Sequence, residues 1–367
     1  MINLNNKNTA IFLRPEAHKK GITNLFDTSV SASSRLQLEP AGRACQSLGM
    51  TPFSLSLLTS NPEHMALIKK PKICITGKLT TKGTLQRNHL AMAQLAAIAI
   101  LKADQVPILA TYCDHQEERE ESIRELHKDL LRMADTIVFP SLAMKEKAHT
   151  WLGDLPRNQV IEDPWQTCEF SFQTKKTRNI RIIWFGHESN LPYLRPILPK
   201  ISSAIPKNRT ATITILTSLF GLRYFREEID QMKNNLRVKI RPIVWDQQNP
   251  TIQLEKELGN AQFCIIPSDT RDNNKNGASH NRLVDAIRCG CISIASPIQS
   301  YKELEKLTLL STDFPRSLAL AIHQQDRLAN KYNSNRGSIL SRFAPQRNLD
   351  NWINCINDTI NHALQEH

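Results

Sequence analysis

The sequence predicts an α/β protein built from two doubly wound domains facing a cleft. Short apolar, β-branched runs alternate with helix-length amphipathic stretches, the pattern of parallel strands joined by crossovers. That pattern runs once, breaks at a polar and basic stretch near residue 170, and then starts again. The length points the same way, since 367 residues, 40% of them hydrophobic, exceed one ordinary core and suit two.

Along the first half, "NTAIFLRP" (8–15) and "TPFSLSLLTS" (51–60) read as strands. Between them "SASSRLQLEPAGRACQSLG" carries serine before an apolar-periodic segment and glycine after it, the start and stop signals of a helix. "PKICITGK" is a short strand, "HLAMAQLAAIAILKAD" a helix, and "VPILATYCDH" a strand with a polar end. "EEREESIRELHKDLLRMAD" has apolar residues three and four apart and reads as an amphipathic helix. "TIVFPS" and "NQVIEDP" close the first domain, placed at 1–165. Residues 166–178 lack a period and are expected to be a linker.

The second domain is expected over 179–342. Its strands are "IRIIWFG", "ATITILTS", "VKIRPIVWD", "AQFCIIPS" and "CISIAS". Helical stretches alternate with them: "LPYLRPILPKIS", "YFREEIDQMKNN", "TIQLEKELGN" and "IQSYKELEKL". The last segment, 343–367, holds a proline-bearing turn and then a helix, "PQRNLDNWINCINDTINHALQEH".

No run of eighteen apolar residues occurs, so no transmembrane helix is expected. The opening twenty residues lack a secretory pattern. The eight cysteines are scattered, several inside apolar strands, as reduced buried cysteine behaves. A cytoplasmic protein is expected. The net charge of +12 suits an anionic substrate, nucleic acid or the anionic face of a membrane. No nucleic-acid motif accompanies it, so nucleic acid is not the expected partner.

Sites in open α/β sheets lie beyond the carboxyl ends of the strands. The stretch "KNGASHNRLVDAIRCGCISIAS" (275–296) is the first candidate. It follows the strand "FCIIPS" with a loop and then a helix from about His280. The leading amides of such a helix, with its dipole, favour an anion. Ser279 is a plausible N-cap, and Gly277 lets backbone approach a ligand. Lys275, Asn281 and Arg282 complete a seat for a diphosphate, and Asp285, one turn on, can accept ribose hydroxyl protons. The plainer alternative is that Asn281 and Asp285 only cap and solvate the helix while Arg282 pairs with Asp285 at i,i+3.

This stretch, "PSDTRDNNKNGASHNRLVDAIRCGCISIASPIQSYKEL", resembles the donor-binding region of GT-B glycosyltransferases, particularly the large retaining family 4. It is closer still to a bacterial polysaccharide-type branch with a Lys-Ser-x-Asn-Arg-Leu motif. "IRIIWFGHESNLPYL" is similar to the opening of that branch's donor domain, and "SSRLQLEPAGRACQSLG" to its first acceptor-domain helix. The terminal helix resembles one that crosses back to the first domain. The resemblance implies two Rossmann-like domains and transfer of a sugar from a nucleotide diphosphate to a hydroxyl acceptor, a saccharide or a lipid-linked one. It also implies retention and a role in cell-surface polysaccharide or glycolipid synthesis. Two departures are plain. The family's paired acidic residues fall on Gly277 and Asp285, and its basic residues after the first donor-domain strand fall on Gly186, His187, Glu188 and Ser189.

Other expectations sit in the first domain. Asp114 or His115, at a strand end where the resemblance places an acceptor-side or catalytic group, can take the acceptor proton or bond the sugar. The alternative is that Asp114 caps the acidic helix starting at Gln116, with His115 as its solvated neighbour. Arg35, Lys78, Gly186 and His187 are expected donor or acceptor contacts. The chain has no Asp-x-Asp motif, so no metal is expected. No cofactor is expected beyond the nucleotide-diphosphate sugar itself. The membrane would be met peripherally, at its anionic inner face. Beside the glycosyltransferase stand a nucleic-acid-modifying protein of the same fold and a non-catalytic binding protein that has lost the site.

Overall fold

The computed structural model describes residues 8–14, 22–28, 34–56, 70–77, 84–118, 120–174 and 177–365. The chain divides into two compact units. The first comprises Met1–Pro164, Gly277–Ser279 and Pro345–His367, and the second Trp165–Asn276 and His280–Ala344.

The first unit is a seven-stranded sheet in the order β2-β3-β1-β4-β5-β6-β7. Its strands are β1 Thr9–Arg14, β2 Ile22–Asn24, β3 Thr51–Ser56, β4 Ile73–Thr76, β5 Ile108–Thr111, β6 Thr136–Phe139 and β7 Arg157–Val160. All neighbours are parallel except β2, which lies antiparallel on β3 at one edge. The helices α1 (Glu39–Ser47), α2 (Thr84–Ala103), α3 (Glu121–Met133) and α4 (Leu142–Leu152) alternate with them. Successive side chains on β1 go to opposite cores, as a pleated strand requires. Ile11 and Leu13 join Ile98, Leu130, Phe139 and Met144 on one face. Ala10 and Phe12 join Cys45, Ile75 and Ile161 on the other.

The second unit has six parallel strands in the order β10-β9-β8-β11-β12-β13. They are β8 Asn179–Phe185, β9 Thr210–Thr217, β10 Val238–Val244, β11 Phe263–Ile266, β12 Ile292–Ala295 and β13 Thr308–Leu310. In chain order this is 3-2-1-4-5-6, the doubly wound arrangement whose strand order reverses between the first and fourth strands, here β8 and β11. Its helices include α5 (Leu219–Tyr224), α6 (Pro250–Gly259), α7 (Asn281–Arg288), α8 (Phe314–His323) and α9 (Gln325–Leu340). β11 and β12 are buried along their whole length, which explains their continuous apolar sequence.

The last helix, α10 (Pro345–Gln365), belongs to the first unit and packs on α1. Trp352, Cys355 and Ile356 enter the core behind Phe12 and Ile75. Thr359 Oγ1 bonds Thr136 Oγ1 at 2.8 Å, and Asn348 Nδ2 donates to the Glu162 carbonyl at 2.7 Å.

The stretch expected as a linker is instead part of the second unit. Phe172 is buried, Phe170 N donates to the Arg288 carbonyl at 3.0 Å, and Cys168 N donates to Glu255 at 2.9 Å. The polar sequence there marks side chains serving as bonding partners, not a free tether.

Candidate functional site

The strands of the second unit place one group at the reversal point. β8 ends at Phe185, and Gly186 follows with φ +150°, a backbone region that favours glycine. Gly186 N donates to the Leu216 carbonyl at 3.1 Å, which fixes the turn to β9. A Cβ at Gly186 would stand 3.2 Å from Cζ and 3.3 Å from Nε of Arg282. Glycine therefore opens the space that the guanidinium occupies. The same guanidinium lies 5.5 Å from the ring centres of both Trp184 and Phe185, an arrangement attractive to a cation.

Arg282 is thus brought onto Gly186 at the carboxyl end of β8, as a ligand-binding group in such a sheet should be. Its Nε and Nη2 are shut off from solvent and have no hydrogen-bond partner among the described residues. Burial pulls the guanidinium below its ordinary pKa, and Tyr301 and Cys264 offset this. Tyr301 is itself buried, and burial raises its phenol while Arg282 lowers it. Buried polar groups are paired in the great majority of cases, and an unpaired charged one is costly. A stacked guanidinium with two N–H groups that no described residue bonds has hydrogen-bonding capacity left for phosphate or carboxylate oxygens.

Helix α7 differs from expectation at its start. The cap residue is His280, not Ser279, and its side chain makes no cap bond. His280 is buried instead, its ring 5.3 Å from that of Phe343 and its Nε2 3.4 Å from Glu303, which also bonds Arg342 at 2.8 Å. Asn281 Oδ1 accepts from Arg282 N at 2.7 Å. Lys275 lies on a separate helical turn, Asn273–Asn276, with its amide on the Asp272 carbonyl.

Asp285 corrects the ribose assignment. Its side chain is 2% exposed, and Oδ1 accepts from Gln166 N at 2.9 Å and Thr167 Oγ1 at 3.2 Å. It clasps the 165–167 segment and is not presented to a ligand. Burial lifts its carboxyl to about 6, with the bonds from Gln166 and Thr167 opposing that rise. The Arg282–Asp285 ion pair of the plainer alternative does not form either, since Arg282 Nε and Nη2 stay unbonded.

Gly277 is buried, and its carbonyl accepts from Ser141 Oγ at 2.8 Å. That same hydroxyl caps α4 by accepting from Met144 N at 3.1 Å. A Cβ at 277 would fall 2.9 Å from Met144 Cα, so the position has no room for the acidic side chain of the family pattern.

In the first unit His115 is 1% exposed. Its Nδ1 is 3.3 Å from Tyr112 Oη and its Nε2 2.9 Å from Glu117, and its ring meets Trp151 edge-on at 5.6 Å. It locks the turn after β5 and is enclosed, contrary to the expectation of a catalytic group. Asp114 is half-buried, its carbonyl accepting from Gln116 Nε2 at 2.9 Å. It caps no helix, because α3 begins only at Glu121. Arg35 is half-buried in the turn Ser34–Leu38 that leads into α1. Lys78 lies outside the described residues. His187 is largely exposed and accepts from Ser189 N at 3.2 Å, so it holds the turn after Gly186.

Sequence reasoning missed the stacking platform. Trp184 and Phe185 end an apolar strand and read as core; their sequence carries no mark of a cation above them.

No family model matches the chain, and no curated protein matches it. Solved structures do. HepE of Anabaena, in complex with UDP and glucose, matches at 14% identity and a TM-score of 0.64, covering 98% of this chain and 100% of its own. A glycosyltransferase from Rickettsia africae matches at 13% and 0.64, over 96% of this chain and 99% of its own. Sucrose-phosphate synthase from Thermosynechococcus elongatus matches at 13% and 0.55, over 98% and 97%. Identities this low carry the fold: the chain has the two-domain α/β architecture of GT-B glycosyltransferases.

Proposed function

We propose that the protein is a glycosyltransferase that moves a sugar from a nucleotide diphosphate to a hydroxyl acceptor, with retention at the anomeric carbon. The observation that carries this reading is the guanidinium of Arg282 at the carboxyl end of β8, whose Nε and Nη2 have no hydrogen-bond partner among the described residues. HepE, of the same fold, is described with UDP, with UDP and glucose, and with UDP-glucose. A uridine nucleotide is accordingly the first donor to test.

In this reading the bond from the anomeric carbon to the diphosphate breaks as the acceptor oxygen bonds that carbon and passes its proton to an oxygen of the departing diphosphate. Negative charge grows on the departing diphosphate. A cation already fixed by stacking stabilises that charge more in the transition state than in the ground state, with little reorganisation. Arg282 here takes the part that the family gives to basic residues after the first strand, which this chain lacks. Lys275, Ser279 and Asn281 stand as further diphosphate contacts. Arg35 and Asp114 stand as acceptor-side groups, the acceptor being a saccharide or a lipid-linked one, as in cell-surface polysaccharide or glycolipid synthesis. The protein works in the cytoplasm and without a metal.

The test is turnover with nucleotide sugars in the presence of a chelator. Arg282→Met should lower the rate by about 10²–10³-fold, the size of losing one preorganised donor at a developing anion, while the protein stays folded. Unchanged turnover in that variant sinks the site. A second reading, a binding protein that has lost catalysis, is favoured by the enclosed Asp285 and the closed Gly277 position. Its signature is nucleotide binding without transfer or hydrolysis.

A further inference from the structure

Tyr301 is a buried neighbour of Arg282. It stands on the helical turn Gln299–Lys302, which follows β12, while α7 with Arg282 lies between β11 and β12. In the sheet β8, β11 and β12 are adjacent and parallel, so Gly186 after β8 and this turn after β12 lie at the same end. Hydrogen bonds fix the turn. Ser268 N donates to Ser296 Oγ at 2.9 Å and Ser296 N to the Ile266 carbonyl at 3.1 Å, which ties the exits of β11 and β12 together. Ile298 N donates to the Ser296 carbonyl at 2.8 Å and Tyr301 N to the Ile298 carbonyl at 3.1 Å. Tyr301 is thereby held inward, 3% exposed.

The phenol and the guanidinium act on each other. Burial raises the Tyr301 phenol and Arg282 offsets part of that rise, so the hydroxyl keeps its proton near neutrality and is a donor. No described residue bonds its Oη, as none bonds Nε or Nη2 of Arg282. A buried tyrosine hydroxyl ordinarily finds a partner. Nothing beside it supplies a free anion. Burial lifts the Cys264 thiol to about 12. Asp285 is committed to Gln166 and Thr167. Glu303 bonds Arg342 at 2.8 Å and stands 3.4 Å from His280. Two donors therefore stand together with no acceptor from the chain, and the partner that satisfies both is an oxyanion.

We infer that the Tyr301 hydroxyl is a second, neutral donor to the diphosphate that Arg282 receives, an inference that rests on the function proposed for that site. One guanidinium balances only part of the charge of a diphosphate. The chain has Gly186, His187, Glu188 and Ser189 where the resembled family places basic residues. A phenol O–H takes a further phosphate oxygen without the desolvation cost of a second buried cation.

The experiment is calorimetry of UDP with the full chain as wild type, Tyr301→Phe and Arg282→Met, with inorganic pyrophosphate as competitor and urea unfolding of each ligand-free protein. Tyr301→Phe should bind UDP about two- to tenfold more weakly, the worth of one neutral hydrogen bond. Pyrophosphate, which has no nucleoside, should displace UDP from the wild type and lose the same factor in the variant. Phenylalanine keeps the buried ring, so ligand-free Tyr301→Phe should be at least as stable as the wild type. Undiminished UDP affinity in Tyr301→Phe, beside weakened binding in Arg282→Met, overturns the inference and leaves the diphosphate site standing. Weakened UDP binding with pyrophosphate unaffected, or unable to compete at all, moves the hydroxyl to the nucleoside and overturns it. Weakened binding together with lower ligand-free stability assigns the hydroxyl to the fold and overturns it too. A wild type that binds no nucleoside diphosphate removes the proposed function, and the inference with it.

Discussion

Arg282 carries a desolvation cost where it stands. Its Nε and Nη2 have no partner among the described residues, while stacking on Trp184 and Phe185 holds its position. Replacing an unsatisfied buried charge by an apolar side chain of similar length removes a desolvation cost of about 1–3 kcal/mol. Arg282→Met should therefore raise the unfolding free energy, or leave it level, in urea titrations of the ligand-free protein. A loss of more than about 1 kcal/mol would mean that the guanidinium is serving the fold. Asp285 makes the opposite kind of statement. Its carboxyl is raised to about 6 from the ordinary 3.8, so between those values the folded state holds a proton that the unfolded state has lost. Stability from this group is full below pH 3.8 and falls as pH rises through about 6. At about 1.4 kcal/mol per pH unit, that gap amounts to about 3 kcal/mol. Asp285→Asn should gain on the wild type by about that much between pH 4 and 7, measured by denaturant unfolding at each pH. A difference that stays flat with pH contradicts the assigned carboxyl.

At the scale of elements, the sharpest feature is the join between α4 and residue 277. Ser141 caps α4 and also holds the Gly277 carbonyl, and the backbone of Met144 fills the space where a side chain at 277 would go. Gly277→Asp, which rebuilds the acidic pair of the resembled family, should therefore cost about 1–3 kcal/mol in stability and add no activity. Thermal unfolding and a turnover assay check both halves. A variant that is stable and faster would mean that the loop can move to admit the carboxylate. The helix α7 shows why such an outcome was not legible beforehand. Leu283, Val284, Asp285, Ala286 and Ile287 are all buried, so the helix has no wet side over these positions. Periodicity identifies a buried face by contrast with an exposed one, and here the contrast is missing. An aspartate inside such a helix reads as its polar edge, although it bonds the backbone of Gln166.

For the whole molecule, the α/β class and the restart of the pattern were legible because buried parallel strands must be continuous apolar runs, as in "FCII" and "ISIA". Arg282 stood out in the sequence as the arginine in the first turn of a short helix after a buried strand. Less could be read where function of a side chain depends on what folds onto it from far away. α4, "LAMKEKAHTWL", escaped notice because its apolar spacing is weak and its anchor is a serine cap. His115 looked like a strand-end group and is sealed by Tyr112, Glu117 and Trp151. The residues 166–178 looked like a tether because bonds to Glu255, Arg288 and Asp285 lie about a hundred residues away. Isothermal calorimetry of UDP with the wild type and with Arg282→Met shows whether the second unit receives a nucleotide diphosphate on Arg282. The wild type should bind, and the variant should bind about tenfold to a hundredfold more weakly, the worth of one charge-assisted contact. Equal affinities, or no heat from UDP or any other nucleoside diphosphate with the wild type, would contradict the Arg282 site.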